Sequence, residues 1–345
     1  MLMNTLKFLN LLIIYLVFFT VLSANSQQKK FRAMFYNVEN LFDTTHDTLK
    51  NDIEFTPNGN RFWNNYKFYN KLNRIQKTIA AIGQWTPVSF IGLCEIENRN
   101  CLNKLLNNTS LISIPYKIIH HESPDTRGID VALLYNSRDA NLLAKRFYKI
   151  TLANDLRFKT REILYAKFLI DKTDTVHFFI NHWPSRLGGE IASNHKRVKA
   201  ANILRKNIDS LFSKNNQSKI IIMGDFNDEP KNQSLKETLR TITPEFEFTD
   251  TVLYNLSNDN DFYGTHKYQG NWAILDQIIV SGTLLNASTG AKCNKIDYNI
   301  VNFDFLLEDD TRHSGKKPKS TYYAYKYNDG FSDHLPVYID IILVH

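Results

Sequence analysis

Cysteine is scarce in this 345-residue sequence, which carries only Cys94, Cys101 and Cys293. Three thiols cannot build a disulfide framework, and their spacing offers no zinc cage. Cys94 sits inside an apolar run and reads as a small core residue. Several catalytic signatures are missing too. No Gly-x-Ser-x-Gly, His-Glu-x-x-His or Gly-x-x-x-x-Gly-Lys segment occurs, which removes the serine-hydrolase elbow, the zincin helix and the P-loop. No fixed-period repeat or low-complexity linker interrupts the chain, so residues 30–345 read as one domain. Charge of one sign is not pronounced. The net charge is +7, and it is +6 once Lys7, the only charged residue among the first 26, is set aside. That surplus permits an anionic partner without demanding one.

One long apolar run is present, from Leu11 to Leu22, preceded by Lys7 and followed by Ala24-Asn25-Ser26. A basic start, a short apolar stretch and a small-x-small site describe a cleavable export signal, residues 1–26, with cleavage expected after Ser26. The run is short for a bilayer span and no second span follows, so the mature chain is expected to be secreted or periplasmic, without a stable membrane anchor. A monomer is expected.

With 43% hydrophobic and 13% aromatic residues the chain can bury a large core. Short apolar or alternating runs at 31–36, 88–93, 129–135, 163–170, 176–180, 220–223, 278–280 and 337–343 predict strands. Leu72, Ile75, Ile79 and Ile82 share one face of a predicted helix; Val198, Ala201, Leu204, Ile208 and Leu211 share one face of a second. Many strands and few helices predict layered α/β with largely antiparallel sheets. Residues 302–331, rich in charge and tyrosine, read as a long loop facing substrate.

Polar residues cluster where these strands stop or start. Asn37, Glu95 and His182 follow strands, as do Asp225 and Asn227; Asp276 and the Asp333-His334 pair precede them. Taken singly, such residues are ordinarily turn formers or solvated groups. Together they can converge on one sheet rim, where neighbouring strands of an antiparallel sheet share an edge. Two Asn, a Glu, three Asp and two His gathered there would hold a hard cation and activate water beside it.

Asn37 in FYNVENLF, Glu95 in GLCEIEN, His182 in NHWPSR, Asp225 and Asn227 in GDFND, Asp276 in LDQIIVS and Asp333-His334 in SDHLPV resemble the ordered blocks of the endonuclease/exonuclease/phosphatase, or DNase I-like, superfamily. Cys94 departs from that pattern, since many members carry Gln before the metal-binding Glu. The resemblance implies a four-layer α/β sandwich, two mostly antiparallel sheets packed face to face with flanking helices. It also implies metal-dependent phosphoric ester hydrolysis. Glu95 would be the principal ligand of Mg²⁺ (Mn²⁺ or Ca²⁺ as substitutes), with Asn37 and Asp333 completing the site. Asp225 would orient or deprotonate the attacking water and Asn227 would steady it. His182 and His334 would contact the phosphoryl group, Asp276 would orient His334, and Asp130 would do the same for His182. In an extended segment Asp225 and Asn227 would point the same way, with Phe226 turned into the core.

Arg127 and Arg186 flank these blocks and are candidates for phosphate binding, and Tyr268 and Trp272 for base stacking, though aromatics at this spacing often only pack a core. An exported nuclease with nucleic acid as its substrate is the expected function. The alternatives are a phosphatase or phospholipase C-type hydrolase acting on an inositol phosphate or sphingomyelin, and a noncatalytic binding protein of the same fold.

Overall fold

The short apolar runs pair into two sheets whose alternating side chains leave one core between them and one outside each. The computed structural model describes residues 29–245, 247–257 and 263–344, and the expected export signal lies outside them. The first sheet runs in the order β14 (Gly290–Lys292), β20 (Val337–Val344), β1 (Lys30–Leu41), β2 (Phe90–Ile96), β4 (Asp130–Asn136), β3 (Tyr116–His120), with β15 (Asn299–Ile300) also paired to β20. The second runs β5 (Ala140–Tyr148), β6 (Ile163–Ile170), β7 (Asp174–His182), β8 (Lys219–Asp225), β13 (Asp276–Ser281), β10 (Leu253–Asn255), β9 (Thr241–Ile242). β1 with β2, β7 with β8 and β9 with β10 are parallel, and β8 with β13 and β2 with β4 are antiparallel.

Between the sheets Phe35, Phe90, Ile180, Met223, Ile278 and Ile339 form one apolar cluster. Strand alternation sends the intervening residues outward. Met34, Tyr36, Ile91 and Leu93 meet Leu72, Ile75, Ile79 and Ile82 of helix α1 (Asn65–Gly83); helix α2 (Arg99–Asn107) adds Leu102 and Leu105. On the other side Phe179, Ile220 and Ile222 meet Ala201, Leu204 and Ile208 of helix α3 (Glu190–Lys214). Each fully buried aliphatic side chain contributes about 1.5–3 kcal/mol relative to exposure. The result is the four-layer helix–sheet–sheet–helix sandwich that the resemblance implies. A short helix α4 (Gly282–Asn286) follows β13.

Two local expectations are corrected. The segment 302–331 is built rather than irregular, with a hairpin of β16 (Leu307–Asp309) and β17 (Lys316–Pro318) and a second of β18 (Tyr322–Tyr323) and β19 (Lys326–Tyr327). Its charges and tyrosines find partners: Lys316 Nζ lies 2.7 Å from Asp309, Lys317 sits over the Tyr323 ring, and Tyr322 packs on Trp63 and Tyr327. A further hairpin, β11 (His266–Tyr268) and β12 (Asn271–Ala273), lies outside the main sheets. Convergence of the strand ends also owes more to parallel pairing than expected, because two adjacent parallel strands end on the same rim.

Candidate active site

Register places the polar residues side by side. In the second sheet His182 pairs with Asp225 across the parallel β7–β8 ladder, and Asp225 pairs with Asp276 across β8–β13. In the first, Asn37 pairs with Cys94 across β1–β2. These side chains share the faces of Phe35, Ile180, Met223 and Ile278, so they close one end of the space between the sheets.

Asp225 is the hub. Its Oδ2 accepts from Asn37 Nδ2 at 3.1 Å and lies 3.5 Å from His182 Nε2 and 3.9 Å from His334 Nε2. Its Oδ1 accepts from the Asn227 amide at 2.9 Å. His334 Nδ1 is 2.6 Å from Asp276 Oδ2, and its ring leans on that of His266, 4.7 Å between centroids. Burial, with Asp276 and Glu95 adding their charge, pushes the Asp225 carboxyl up to about 7. For His334 burial opposes the proton, but Asp276 and Asp225 outweigh it and hold the imidazole well above its ordinary value. His182 is driven the other way by burial and by Arg161 and Arg127, so it stays neutral. With Nε2 facing two carboxylates, that nitrogen carries the hydrogen. His266 is likewise held neutral, pushed down to about 3 by burial and then by His334.

Backbone strain concentrates where Glu95 enters. Glu95 has φ +62°, and Glu39 and Asn40 of the neighbouring strand have φ +52° and +54°. Pairing slips at both places. Left-handed residues of this kind cost on the order of 1–3 kcal/mol each and persist where surrounding structure enforces them. Here the distortion brings the Asn40 amide to Glu95 Oε2 at 2.9 Å and leaves Oε1 facing His182 Nε2 at 3.9 Å.

A hard cation fits this chemistry. Carboxylates of Asp225, Asp276 and Asp333 gather around His334, Glu95 faces His182 on the other side of Asp225, and burial, joined by the charges of Asp276 and Glu95, pushes the Asp225 carboxyl up. Ligand-capable atoms of Asp225, Asp276 and His334 lie within 4.8 Å of one another, as do those of His266, Asp333 and His334. Glu95 belongs to neither group; it and Asn37 flank Asp225 from the first sheet, while Asp333 stands on the His266 side. The Asn37 side-chain Oδ1 accepts from the Glu39 amide at 3.0 Å.

Four expectations change. Asp130 does not orient His182. It shares the outer face of β4 with Ala132 and Leu134, turned away from the space between the sheets into which His182 and Ile180 of the second sheet point, and it accepts from the Ser123 amide at 2.8 Å. Asn227 is not extended: with φ +51° it turns the chain, and its Nδ2 donates to Trp183 O at 3.1 Å, while Phe226 is buried edge-on against Trp183. Arg186 is committed to structure, donating to Asn227 O, Glu190 and Asn232. Trp272 packs against the helical core of the first sheet, whereas Tyr268 is exposed. Arg127 is exposed near the site, 4.0 Å from Asp125.

Sequence reasoning missed several supporting groups. His266 lies in a stretch with no apolar strand before it. Asp228, the last residue of GDFND, is fully buried against Arg197 Nε of α3 at 2.7 Å. Only its place in that block could have marked it.

The family model described as Endonuclease/Exonuclease/phosphatase family matches residues 32–342. No curated protein sequence matches. Among solved structures, an endonuclease/exonuclease/phosphatase family protein from Bacteroides thetaiotaomicron is similar with a TM-score of 0.58 at 15% identity, covering 92% of this chain and 99% of that one. A mannosyl-6-phosphatase from the same organism has a TM-score of 0.55 at 15% identity, covering 91% and 100%. TDP2 from D. rerio, complexed with single strand DNA product, has a TM-score of 0.54 at 12% identity, covering 91% and 99%. At these identities the likeness is one of fold.

Proposed function

Because the chain belongs to the endonuclease/exonuclease/phosphatase family, whose members are metal-dependent phosphoric ester hydrolases, we propose that it is an exported phosphodiesterase acting on nucleic acid. The observation that carries the chemistry is the buried line from Asp276 through His334 to Asp225. Asp225, held by the Asn37 amide, is placed to accept the proton of an attacking water. His334, an imidazolium backed by Asp276, presents Nε2 as a donor to a phosphoryl oxygen, and neutral His182 presents a second N–H. Glu95, with Asn37 and Asp333, would hold the cation. A bound Mg²⁺, or Mn²⁺ or Ca²⁺ in its place, would neutralise phosphoryl charge and polarise its oxygen.

Nucleic acid is favoured by a cleft of about 360 Å³ reaching from Asp333 along the hairpins, lined by Arg312, Lys317, Tyr268 and Tyr323. The exposed Tyr268 ring and the cations suit a base and phosphates together. The single-strand DNA product bound by the fold relative TDP2 is in keeping with this reading. A second reading, a phospholipid substrate, draws on Leu187 and Ile191, both about nine-tenths exposed just after the His182 strand. The mannosyl-6-phosphatase neighbour keeps a phosphomonoester in view.

The test is hydrolysis by the mature chain of plasmid DNA, RNA, an inositol phosphate, a sugar phosphate and sphingomyelin vesicles, each with Mg²⁺ and with chelator. Nucleic-acid cleavage that falls with added salt and stops with chelator supports the proposal. Turnover of only a small phosphoester or lipid replaces it with a second reading, and no turnover on any substrate points to a binding protein of the same fold. Amino-terminal sequencing of protein exported from cells checks cleavage after Ser26.

A further inference from the structure

On the outer face of the first sheet, away from the inter-sheet rim, three metal-ligating residues meet where β3 ends and β4 begins. His120 closes β3, Asp130 opens β4, and Glu122 lies in the connection. One ligand-capable atom from each lies within 4.8 Å of the others. The His120 and Asp130 side chains are each only 2% exposed. Yet His120 Nε2 and Asp130 Oδ2 are both buried without a hydrogen-bond partner.

From this we infer that His120, Glu122 and Asp130 form a second divalent-cation site, of Zn²⁺ or Mn²⁺ type, separate from the catalytic centre. The spacing is that of two ligands on one ion. Donors each about 2.0–2.1 Å from a tetrahedral Zn²⁺ stand roughly 3.4 Å apart, and Nε2 and Oδ2 are separated by 3.4 Å. One imidazole with two carboxylates is a borderline donor set, suited to Zn²⁺ or Mn²⁺ more than to Ca²⁺. A Glu122 carboxylate oxygen lies within the same 4.8 Å group, and its side chain is half exposed, which gives the ion a path from solvent. Asp130 is held from behind, its Oδ1 accepting from the Ser123 amide, the outer support that metal-ligating carboxylates ordinarily have. An ion here would pin the 121–129 connection, which carries Arg127 and also Asp125, bonded to buried Arg161 at 3.1 Å.

The catalytic centre must be kept out of the measurement. Tag-free Glu95→Gln protein, stripped with chelator and held in excess Mg²⁺, is titrated with Zn²⁺ and separately with Mn²⁺ by calorimetry, with Tm read in parallel. One ion bound per chain with a raised Tm is expected. Glu122→Gln in the same background should weaken binding at least about tenfold, and His120→Gln should remove it. Glu122 is exposed, so its variant tests the site even where His120→Gln fails to fold. No binding, or binding that neither substitution alters, overturns the inference and leaves His120 and Asp130 as an ion pair.

Discussion

His334 stands between two carboxylates that it meets on different nitrogens, Nδ1 at 2.6 Å from Asp276 and Nε2 at 3.9 Å from Asp225. The asymmetry gives each acid a separate task. Asp276, fully buried at the start of β13, fixes the ring and its proton, and Asp225 shares the other nitrogen with the space where substrate would enter. Asp276→Asn should therefore lower kcat by about a hundredfold to ten-thousandfold with little change in KM. Its imidazolium should also titrate lower, because the main charge raising it is gone. The His334 proton resonances followed by NMR across pH, beside steady-state rates, check both; an unmoved titration would reduce Asp276 to a packing role.

Asp225→Asn keeps the shape of the hub and removes its capacity to take a proton. Its single amide oxygen can still accept from Asn37 and face the two imidazoles, while the Asn227 amide loses its acceptor; that costs about 1 kcal/mol, so folding and substrate binding should persist. Loss of a positioned general base typically costs about a hundredfold to ten-thousandfold. Initial rates with circular dichroism decide the point, and more than about a tenth of wild-type rate in the variant would refute the assigned role.

The strands that carry the site were readable because their information is local. Ile220 to Met223 followed by Gly224-Asp225 declares both a buried strand and the acid at its end, and the 72–82 and 198–211 stripes declare which helix faces are covered. What could not be read depends on pairing between distant segments. Asp130 looked like a partner for His182 because both lie at strand ends, but alternation turns Asp130 to the outer face of the first sheet and His182 of the second sheet into the space between the two. Asn227 looked extended because nothing in GDFND announces a left-handed residue, whose cause is Trp183 O, 44 residues away in sequence. Arg186 looked free for phosphate until the turn after β8 occupied its guanidinium.

Far from the rim, His177 on β7 should make the fold acid-sensitive. Burial, with Lys167 assisting, pushes its imidazole down to about 4, and Tyr165 Oη sits 2.8 Å from its Nδ1. Above the unfolded value of about 6.5 the ring is neutral in both states and adds no pH dependence. As pH falls below 6.5 the unfolded chain takes the proton first, so stability is lost progressively until about pH 4. At pH 4.5 the loss from this group is about 2.5 kcal/mol. Urea unfolding of wild type and His177→Gln at pH 7 and pH 4.5 checks it: the drop between the two pH values should be smaller in the variant by about that amount.

Lys71 gives the sharpest test of how the 302–331 segment is held. Its side chain is buried on α1, and its Nζ donates to Thr321 Oγ1 at 2.5 Å and Phe331 O at 2.6 Å, with Glu39 Oε2 at 4.0 Å. Glu39 Oε2 in turn accepts from the Thr321 amide at 2.6 Å. One buried ammonium thus ties a helix, the distorted end of β1 and the residues just before Asp333-His334. Lys71→Met keeps the stem and removes the charge, leaving the Phe331 carbonyl, the Thr321 hydroxyl and the Glu39 carboxylate without their donor. Breaking a buried pair by deleting one partner costs about 3–5 kcal/mol. Glu39 is already pushed up to about 7 by burial and by Asp333, so it can shed its charge, which places the expected loss toward the lower end of that range. Adding Glu39→Gln removes the stranded carboxylate while keeping an oxygen for the Thr321 amide. The double variant should then recover about 1–2 kcal/mol of the loss. If Lys71 served only through its aliphatic stem, Met would be nearly neutral and the two changes would add. Urea unfolding of the wild type, both single variants and the double variant separates the outcomes. A Lys71→Met loss under about 1 kcal/mol, or strict additivity, would rule out the tie.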